Sequence, residues 1–309
     1  MTNTLLLMYS THTPSASHIA AVARRVGEAN VWVARSEAEA IRHAPNADII
    51  CGHRYLRQVL PFAGRLKWVQ STASGIDHLP LAELAAQGVT LTRTTEAGAT
   101  IARHAYTLMW MLLRGLHRSY QNQLSQHYEK AVPMLPEPRS ALVLGTGEIG
   151  SQFAALLQRD GVRVTGVNRS GNVPAGFDNV VTSREWHEML PHCDVLLLAL
   201  PANALRLEID TLQRLPAHAL VLNVGRADSL DLQGLSTLLH EGRLGGAALD
   251  VVPEDTYHDG SPVWSVPNLL LTPHIAAHAL ERPARLEAFV EQQLDRYLDN
   301  EPLIAKVAL

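Results

Sequence analysis

Short apolar runs alternate with longer amphipathic stretches along almost the whole chain, a pattern that predicts strands separated by helices. In the N-terminal part the strand candidates are Leu5 to Tyr9, Val31 to Ala34, Asp48 to Cys51, Leu66 to Gln70 and Val89 to Thr92. Helix-like segments such as Ser17 to Glu28 and Ser36 to Ala44 lie between them. One long helical pattern covers Thr100 to Tyr120, and the proline-dense link Pro133-Met134-Leu135-Pro136-Glu137-Pro138 follows it. Proline lacks the N–H that a helix needs, so this link reads as an extended connector. A second series of strands is expected at Ala141 to Leu144, Val162 to Val167, Val195 to Leu200, Leu220 to Val224, Ala247 to Val251 and Leu269 to Thr272. The closing helix, Arg282 to Leu298, lies beyond the last strand and is expected to cross back to the first unit. The fold class is therefore α/β, with two doubly wound parallel sheets. Residues 99–281 are expected to form a Rossmann nucleotide domain inserted in a substrate domain made of residues 1–98 and 282–309.

One segment of the second series carries a motif. The strand Ala141 to Leu144 runs into Gly145-Thr146-Gly147-Glu148-Ile149-Gly150, a helical stretch continues to Gln158, and the next strand ends at Asn168-Arg169-Ser170. This strand–turn–helix–strand context is that of a dinucleotide-binding turn. Gly145 permits the tight turn, Gly147 admits a pyrophosphate to the backbone, and Gly150 lets helix pack on strand. Free N–H groups at the helix start, around Glu148 and Ile149, favour phosphate. Leu200, Pro201, Val224, Gly225 and Asp250, at or beyond the ends of neighbouring strands, complete the expected cofactor contacts. Asn168 stands where an acidic side chain would accept from a ribose 2′-OH and repel a 2′-phosphate. Asn168, Arg169 and Ser170 offer donors instead, which favours NADP(H), with NAD(H) as the alternative. A competing role for Arg169 is stacking on the adenine, which would discriminate little.

Composition narrows the class. A chain of 309 residues can hold two domains, and a net charge of −4 with both signs interspersed gives no basic footprint for nucleic acid or an anionic membrane. The two cysteines, Cys51 and Cys193, are far apart and lack any C-x-x-C spacing, as expected in a reducing compartment. The segment Met1 to Tyr9 has no basic region before its short apolar run, and that run fits a first strand better than a signal peptide. The longest apolar run, Val195 to Leu200, is too short for a bilayer, so a cytoplasmic protein is expected. Fifteen histidines are scattered without an H-E-x-x-H motif, and His274 and His278, four apart, flank a strand exit rather than share a helix. No metal site is expected.

Three polar clusters fall at strand ends, where open α/β sheets bind ligands: Asn223-Val224-Gly225-Arg226, Asp250 followed by Glu254 and Asp255, and Pro273-His274. A guanidinium can fork onto a carboxylate, and a histidine can protonate a carbonyl oxygen as hydride arrives. A neighbouring carboxylate orients that histidine and raises its pKa. Taken singly, Arg226 could be a structural ion-pair partner and His274 a satisfied histidine behind a proline turn. Together they suit the reduction of a 2-oxo acid. Trp68 and Trp264 are read as core residues, with a place in a substrate pocket as the alternative.

The segments Gly145 to Gly150, Asn223 to Arg226, Ala248-Leu249-Asp250-Val251 and Leu271-Thr272-Pro273-His274 resemble, in order and over nearly the whole chain, the D-isomer-specific 2-hydroxyacid dehydrogenase family. The link Leu135 to Pro138 and the ending Pro273-His274-Ile275-Ala276-Ala277 are most similar to its glyoxylate/hydroxypyruvate reductase branch. The resemblance implies an NAD(P)-dependent enzyme with a flavodoxin-like substrate domain, a homodimer built through the nucleotide domains. It also implies Arg226 as the substrate-binding arginine and His274 as the proton donor. Ser71-Thr72-Ala73-Ser74-Gly75-Ile76-Asp77 is similar to the family's carboxylate-binding loop, with the N–H groups near Ser74 and Gly75 holding substrate. Read from its residues alone, the loop is an anion nest or an ordinary turn.

Two positions depart from the family pattern. Where the family has glutamate, five residues after Asp250, this chain has Asp255, with Glu254 just before it. Asp255 is the expected partner of His274 and Glu254 the alternative. Where the family has Ala-Glu-His, this chain has Ala102-Arg103-His104, so Arg103 either adds charge near the cleft or alters a dimer contact. The expected function is NADPH-dependent reduction of small 2-oxo acids, catalysed by Arg226, Asp255 and His274. Two alternatives stand beside it: a dinucleotide-sensing binding protein whose relay has drifted, and an enzyme oxidising another small anion such as formate or phosphite.

Overall fold

The computed structural model describes residues 3–130, 134–182 and 185–309. Met1 of the first apolar run and Pro133 of the proline link lie outside the described residues. The chain divides into two compact units, one running to Ala97 and resuming at Ala279–Leu309, the other comprising Gly98–His278.

The first unit is built from β1 (Leu5–Leu7), α1 (Ala16–Val26), β2 (Val31–Val33), α2 (Glu37–His43), β3 (Ile49–Cys51), α3 (Leu56–Val59), β4 (Trp68–Gln70), α4 (Leu81–Ala86) and β5 (Thr90–Thr92), with the C-terminal helix Arg282–Leu298 added. Its five strands are all parallel, in the order β2-β1-β3-β4-β5, which is flavodoxin-like. The strands are continuous apolar runs because both faces are covered. Leu5, Leu7, Ile49, Cys51 and Trp68 pack towards Val22 and Val26 of α1 and Leu286, Val290 and Leu294 of the C-terminal helix. Leu6, Ile50, Val69 and Leu91 point the other way, onto Leu56, Val59 and Leu84. The three C-terminal-helix residues recur every fourth position, which is one helical face. That helix therefore belongs to the first unit.

The second unit runs through α5 (Gly98–Leu113), α6 (Leu116–Leu124), β6 (Ser140–Leu144), α7 (Glu148–Arg159), β7 (Arg163–Val167), β8 (Asn179–Val181), β9 (Val195–Leu198), α8 (Ile209–Leu212), β10 (Leu220–Asn223), α9 (Leu232–His240), β11 (Gly246–Leu249) and β12 (Leu269–Leu271). Among the described residues its seven strands are parallel, in the order β12-β11-β10-β9-β6-β7-β8. The order reverses between β6 and β9. All the strand exits share one edge of the sheet, and the reversal makes a crevice there. The α/β class with two parallel sheets is thus the observed architecture.

Four details differ from the sequence reading. The single helix expected over Thr100 to Tyr120 is two helices, because Gly115 takes φ +62° and its N–H turns back to the Leu112 carbonyl at 3.1 Å. Residues Asn179–Val181 add an edge strand, too short to register as an apolar run. The strand expected to reach Leu200 stops at Leu198, since the backbone at Ala199 and Leu200 lies against Gly145 and Gly225. Of the two tryptophans, Trp68 is fully buried, with Nε1 donating to Thr92 Oγ1 at 2.8 Å, whereas Trp264 is 55% exposed and is not a core residue.

Candidate active site

The glycine turn after β6 shows three separate needs for a missing side chain. Gly145 has φ +100°, and an added Cβ would stand 2.6 Å from the Ala199 carbonyl oxygen across the crevice. At Gly150 a Cβ would collide with the Gly145 carbonyl oxygen, so the helix could not start this close to its strand. Around Gly147 a Cβ would meet nothing within 4 Å. The space above the N-terminus of the 12-residue α7 is open there, as a pyrophosphate requires. The residues present fit a dinucleotide. Glu148 begins α7; its side chain packs over Gly98 and its Oε1 accepts from Gln152 Nε2 at 3.2 Å. Ile149 is half-buried behind it.

Beyond β7 the three expected donors divide their tasks. The Asn168 amide nitrogen donates to Thr146 Oγ1 at 2.8 Å and to the Asn172 carbonyl at 2.9 Å, while its oxygen accepts from the Gly171 N–H at 2.7 Å. Both amide hydrogens are used in shaping the loop. Ser170 Oγ accepts from the Asn172 N–H at 3.3 Å within the same loop. Arg169 and Ser170 are exposed, so Arg169 presents a cation there.

On the other side of the reversal, Leu200 and Pro201 follow β9. An added Cβ at Gly225 would stand 2.7 Å from the Leu200 carbonyl oxygen, so these two loops are in close register. Asn223 folds the next turn: its Oδ1 accepts from the Gly225 N–H at 3.0 Å and its Nδ2 donates to the Arg226 carbonyl at 2.9 Å. Val224 is buried in this turn. Arg226 emerges half-buried, with Nη1 donating to the Gly225 carbonyl at 3.0 Å.

Asp250, expected among the cofactor contacts, is 2% exposed and holds the neighbouring loop. Its Oδ1 accepts from Thr272 Oγ1 at 2.6 Å and from the Ile275 N–H at 3.0 Å, and its Oδ2 accepts from the Ala276 N–H at 3.0 Å. Its main-chain carbonyl takes the His274 N–H at 2.9 Å. His274 is thereby fixed at φ +55°, exposed, one residue beyond Pro273. Thr272 gives its only hydroxyl proton to Asp250, so at 3.0 Å it accepts from His104 Nε2. Burial lowers the His104 pKa, and Asp250 nearby opposes that shift. Tyr257 completes the brace, its hydroxyl donating to the Thr272 carbonyl at 3.0 Å. Burial, with the Asp250 charge, raises the Tyr257 pKa and keeps it a phenol.

Arg226 and His274 leave strands on either side of β11, about 10 Å apart at two strand spacings. Asp255 does not join them directly. It lies exposed with Glu254 on a short turn after β11, and neither makes a hydrogen bond or ion pair with His274. Arg103 lines a small cavity of about 80 Å³ between α5 and α7 with Gln152 and Arg159. In the first unit, Ser74 and Gly75 sit half-buried on the loop leaving β4.

The braces were not assigned from sequence. Thr272, His104 and Tyr257 are separated along the chain and meet only because β11, β12 and α5 pack together. A threonine before Pro273-His274 was the one local signal.

The chain matches the D-isomer specific 2-hydroxyacid dehydrogenase NAD binding domain over residues 106–276. It is 32% identical over 239 residues to an uncharacterized protein in the mprR 3′ region of Streptomyces coelicolor, covering 75% of this chain and 85% of that protein. It is 29% identical over 255 residues to glyoxylate/hydroxypyruvate reductase A of Salmonella newport, covering 79% and 80%. A crystal structure of a D-isomer specific 2-hydroxyacid dehydrogenase family protein from Aeromonas salmonicida superposes with a TM-score of 0.81 at 28% identity, covering 100% and 99%. The chain belongs to the D-isomer specific 2-hydroxyacid dehydrogenase family and is an NAD(P)-dependent oxidoreductase of 2-hydroxy and 2-oxo acids.

Proposed function

We propose that the protein is an NADPH-preferring reductase of small 2-oxo acids of the glyoxylate/hydroxypyruvate type. The observation that carries this reading is the braced loop on Asp250, which sets His274 at the exit of β12, two strands from the exit of β10 that bears Arg226. The likeness to a glyoxylate/hydroxypyruvate reductase supports the substrate class. NADPH is favoured because Arg169 is exposed beside the β7 exit and Asn168 stands there in place of an acidic residue that would repel a 2′-phosphate.

Gly145, Gly147 and Gly150 with the first turn of α7 would hold the pyrophosphate, and Arg169 with Ser170 the 2′-phosphate. Leu200, Pro201, Val224 and Gly225 would line the crevice beside it. When bound, the dinucleotide would supply the hydride that the carbonyl carbon receives. Arg226 would pair with the substrate carboxylate and draw charge from the carbonyl, and the N–H groups at Ser74 and Gly75 are donors suited to a carboxylate. His274, as imidazolium, donates a proton to the carbonyl oxygen as it becomes an alkoxide, leaving a neutral imidazole and a 2-hydroxy acid.

Initial rates with NADPH and NADH against glyoxylate, hydroxypyruvate, pyruvate and phenylpyruvate test the proposal. NADPH consumption with the smaller acids is expected. The absence of an Asp255–His274 hydrogen bond favours the sensor reading as second. Tight NADPH binding with no oxidation by any of the four acids would decide for it.

A further inference from the structure

The loop leaving β4 is held from two sides. On one side His53 Nδ1 lies 3.3 Å from Ser71 Oγ and 3.2 Å from Thr72 Oγ1, with Nε2 3.1 Å from Ser10 Oγ. The Ser71 N–H donates to the Thr92 carbonyl at 2.8 Å, and the Thr94 N–H to the Ala73 carbonyl at 3.3 Å, which ties the loop to the exit of β5. On that exit stands Arg93, whose Nη1 donates to the Ser74 carbonyl oxygen at 3.2 Å. Its own N–H is anchored on the Ala305 carbonyl at 3.2 Å. Arg93 is half-buried and forms no ion pair among the described residues.

We infer that Arg93 is a positioning residue for the substrate carboxylate, one that orients and polarises the peptide between Ser74 and Gly75. The inference rests on the 2-oxo-acid reading above. In a trans peptide the N–H points opposite to the C=O, so an arginine gripping the Ser74 oxygen turns the Gly75 N–H away from itself. Drawing electron density onto that oxygen leaves the Gly75 N–H more positive and a stronger donor to an anion. The guanidinium does not touch the substrate. It acts through one peptide unit and through positive potential behind a loop of small side chains. A carboxylate keeps its charge throughout the reduction, so this attraction serves ground state and transition state alike.

Steady-state kinetics of the wild type, Arg93→Met and Arg93→Lys provide the test, with NADPH and either glyoxylate or its uncharged ethyl ester. Arg93→Met is expected to raise the KM for glyoxylate about 10-fold, with kcat held within about two-fold and the KM for NADPH unchanged. Arg93→Lys should recover part of the loss by restoring charge, and the ester should not distinguish the three proteins. An unchanged glyoxylate KM in both variants, or an equal effect on the ester, would overturn the inference alone. A parallel fall in kcat, NADPH affinity and melting temperature would assign Arg93 to stability and overturn it too. A folded wild type that turns over no 2-oxo acid would overturn the underlying reading and the inference with it.

Discussion

Asp250 accepts the main-chain N–H of His274 at 2.9 Å while its carboxylate gathers the two N–H groups that follow it, at Ile275 and Ala276. One buried acid at the end of β11 therefore sets the conformation of a histidine leaving β12. A non-glycine residue at φ +55° costs on the order of 1–2 kcal/mol, and these bonds offset that cost.

Asp250→Asn should separate positioning from binding. An amide cannot accept at all the places that the carboxylate serves, so at least one buried donor loses its partner. A stability loss of about 1–3 kcal/mol is expected in urea unfolding, with kcat falling and NADPH affinity retained. A variant whose NADPH affinity collapses while kcat holds would place Asp250 on the cofactor instead.

His274→Asn isolates the proton. Asparagine tolerates the left-handed region, so the loop should keep its shape without an acid to donate. Turnover is expected to fall roughly 10²–10⁴-fold, with NADPH binding unchanged by fluorescence titration. Full activity would remove His274 from the mechanism.

Arg169→Ala tests cofactor choice. A charge-assisted hydrogen bond contributes about 1.5–3 kcal/mol, so the kcat/KM with NADPH should fall about 10- to 100-fold while that with NADH changes little. Equal losses with both cofactors would indicate stacking on adenine.

The glycines of the turn should respond differently to the same added methyl. Gly150→Ala brings a Cβ onto the Gly145 carbonyl and should lower the melting temperature and the cofactor affinity together. Gly147→Ala meets no protein atom within 4 Å and should leave stability nearly intact while weakening NADPH. Calorimetry paired with titration reads both outcomes.

Stability should depend on His53 below neutrality. Burial, with His78 beside it, pushes its pKa down from 6.5 to about 4. The unfolded chain then binds more protons between those values, so stability is fully present above about pH 6.5 and is lost as pH falls towards 4. The contribution is on the order of 2–4 kcal/mol. Urea unfolding at pH 7 and pH 5 should show a smaller difference in His53→Gln than in the wild type. Identical differences would contradict it.

The alternation of apolar runs was enough for the α/β class, for most strands and for the C-terminal helix, because parallel strands covered on both faces must be apolar throughout. The glycine turn was legible for a related reason: each glycine answers a constraint set within a few residues or by the next strand. Sequence patterning by itself determined the scaffold and named Arg226 and His274 at strand exits. Only the tertiary structure decided what holds them. Asp250, Thr272 and His104 converge from three elements far apart in sequence, Asn168 turns out to shape its own loop, and Asp255 stands clear of His274. A hydrogen bond is decided within a few tenths of an ångström, and neither periodicity nor spacing along the chain carries that information.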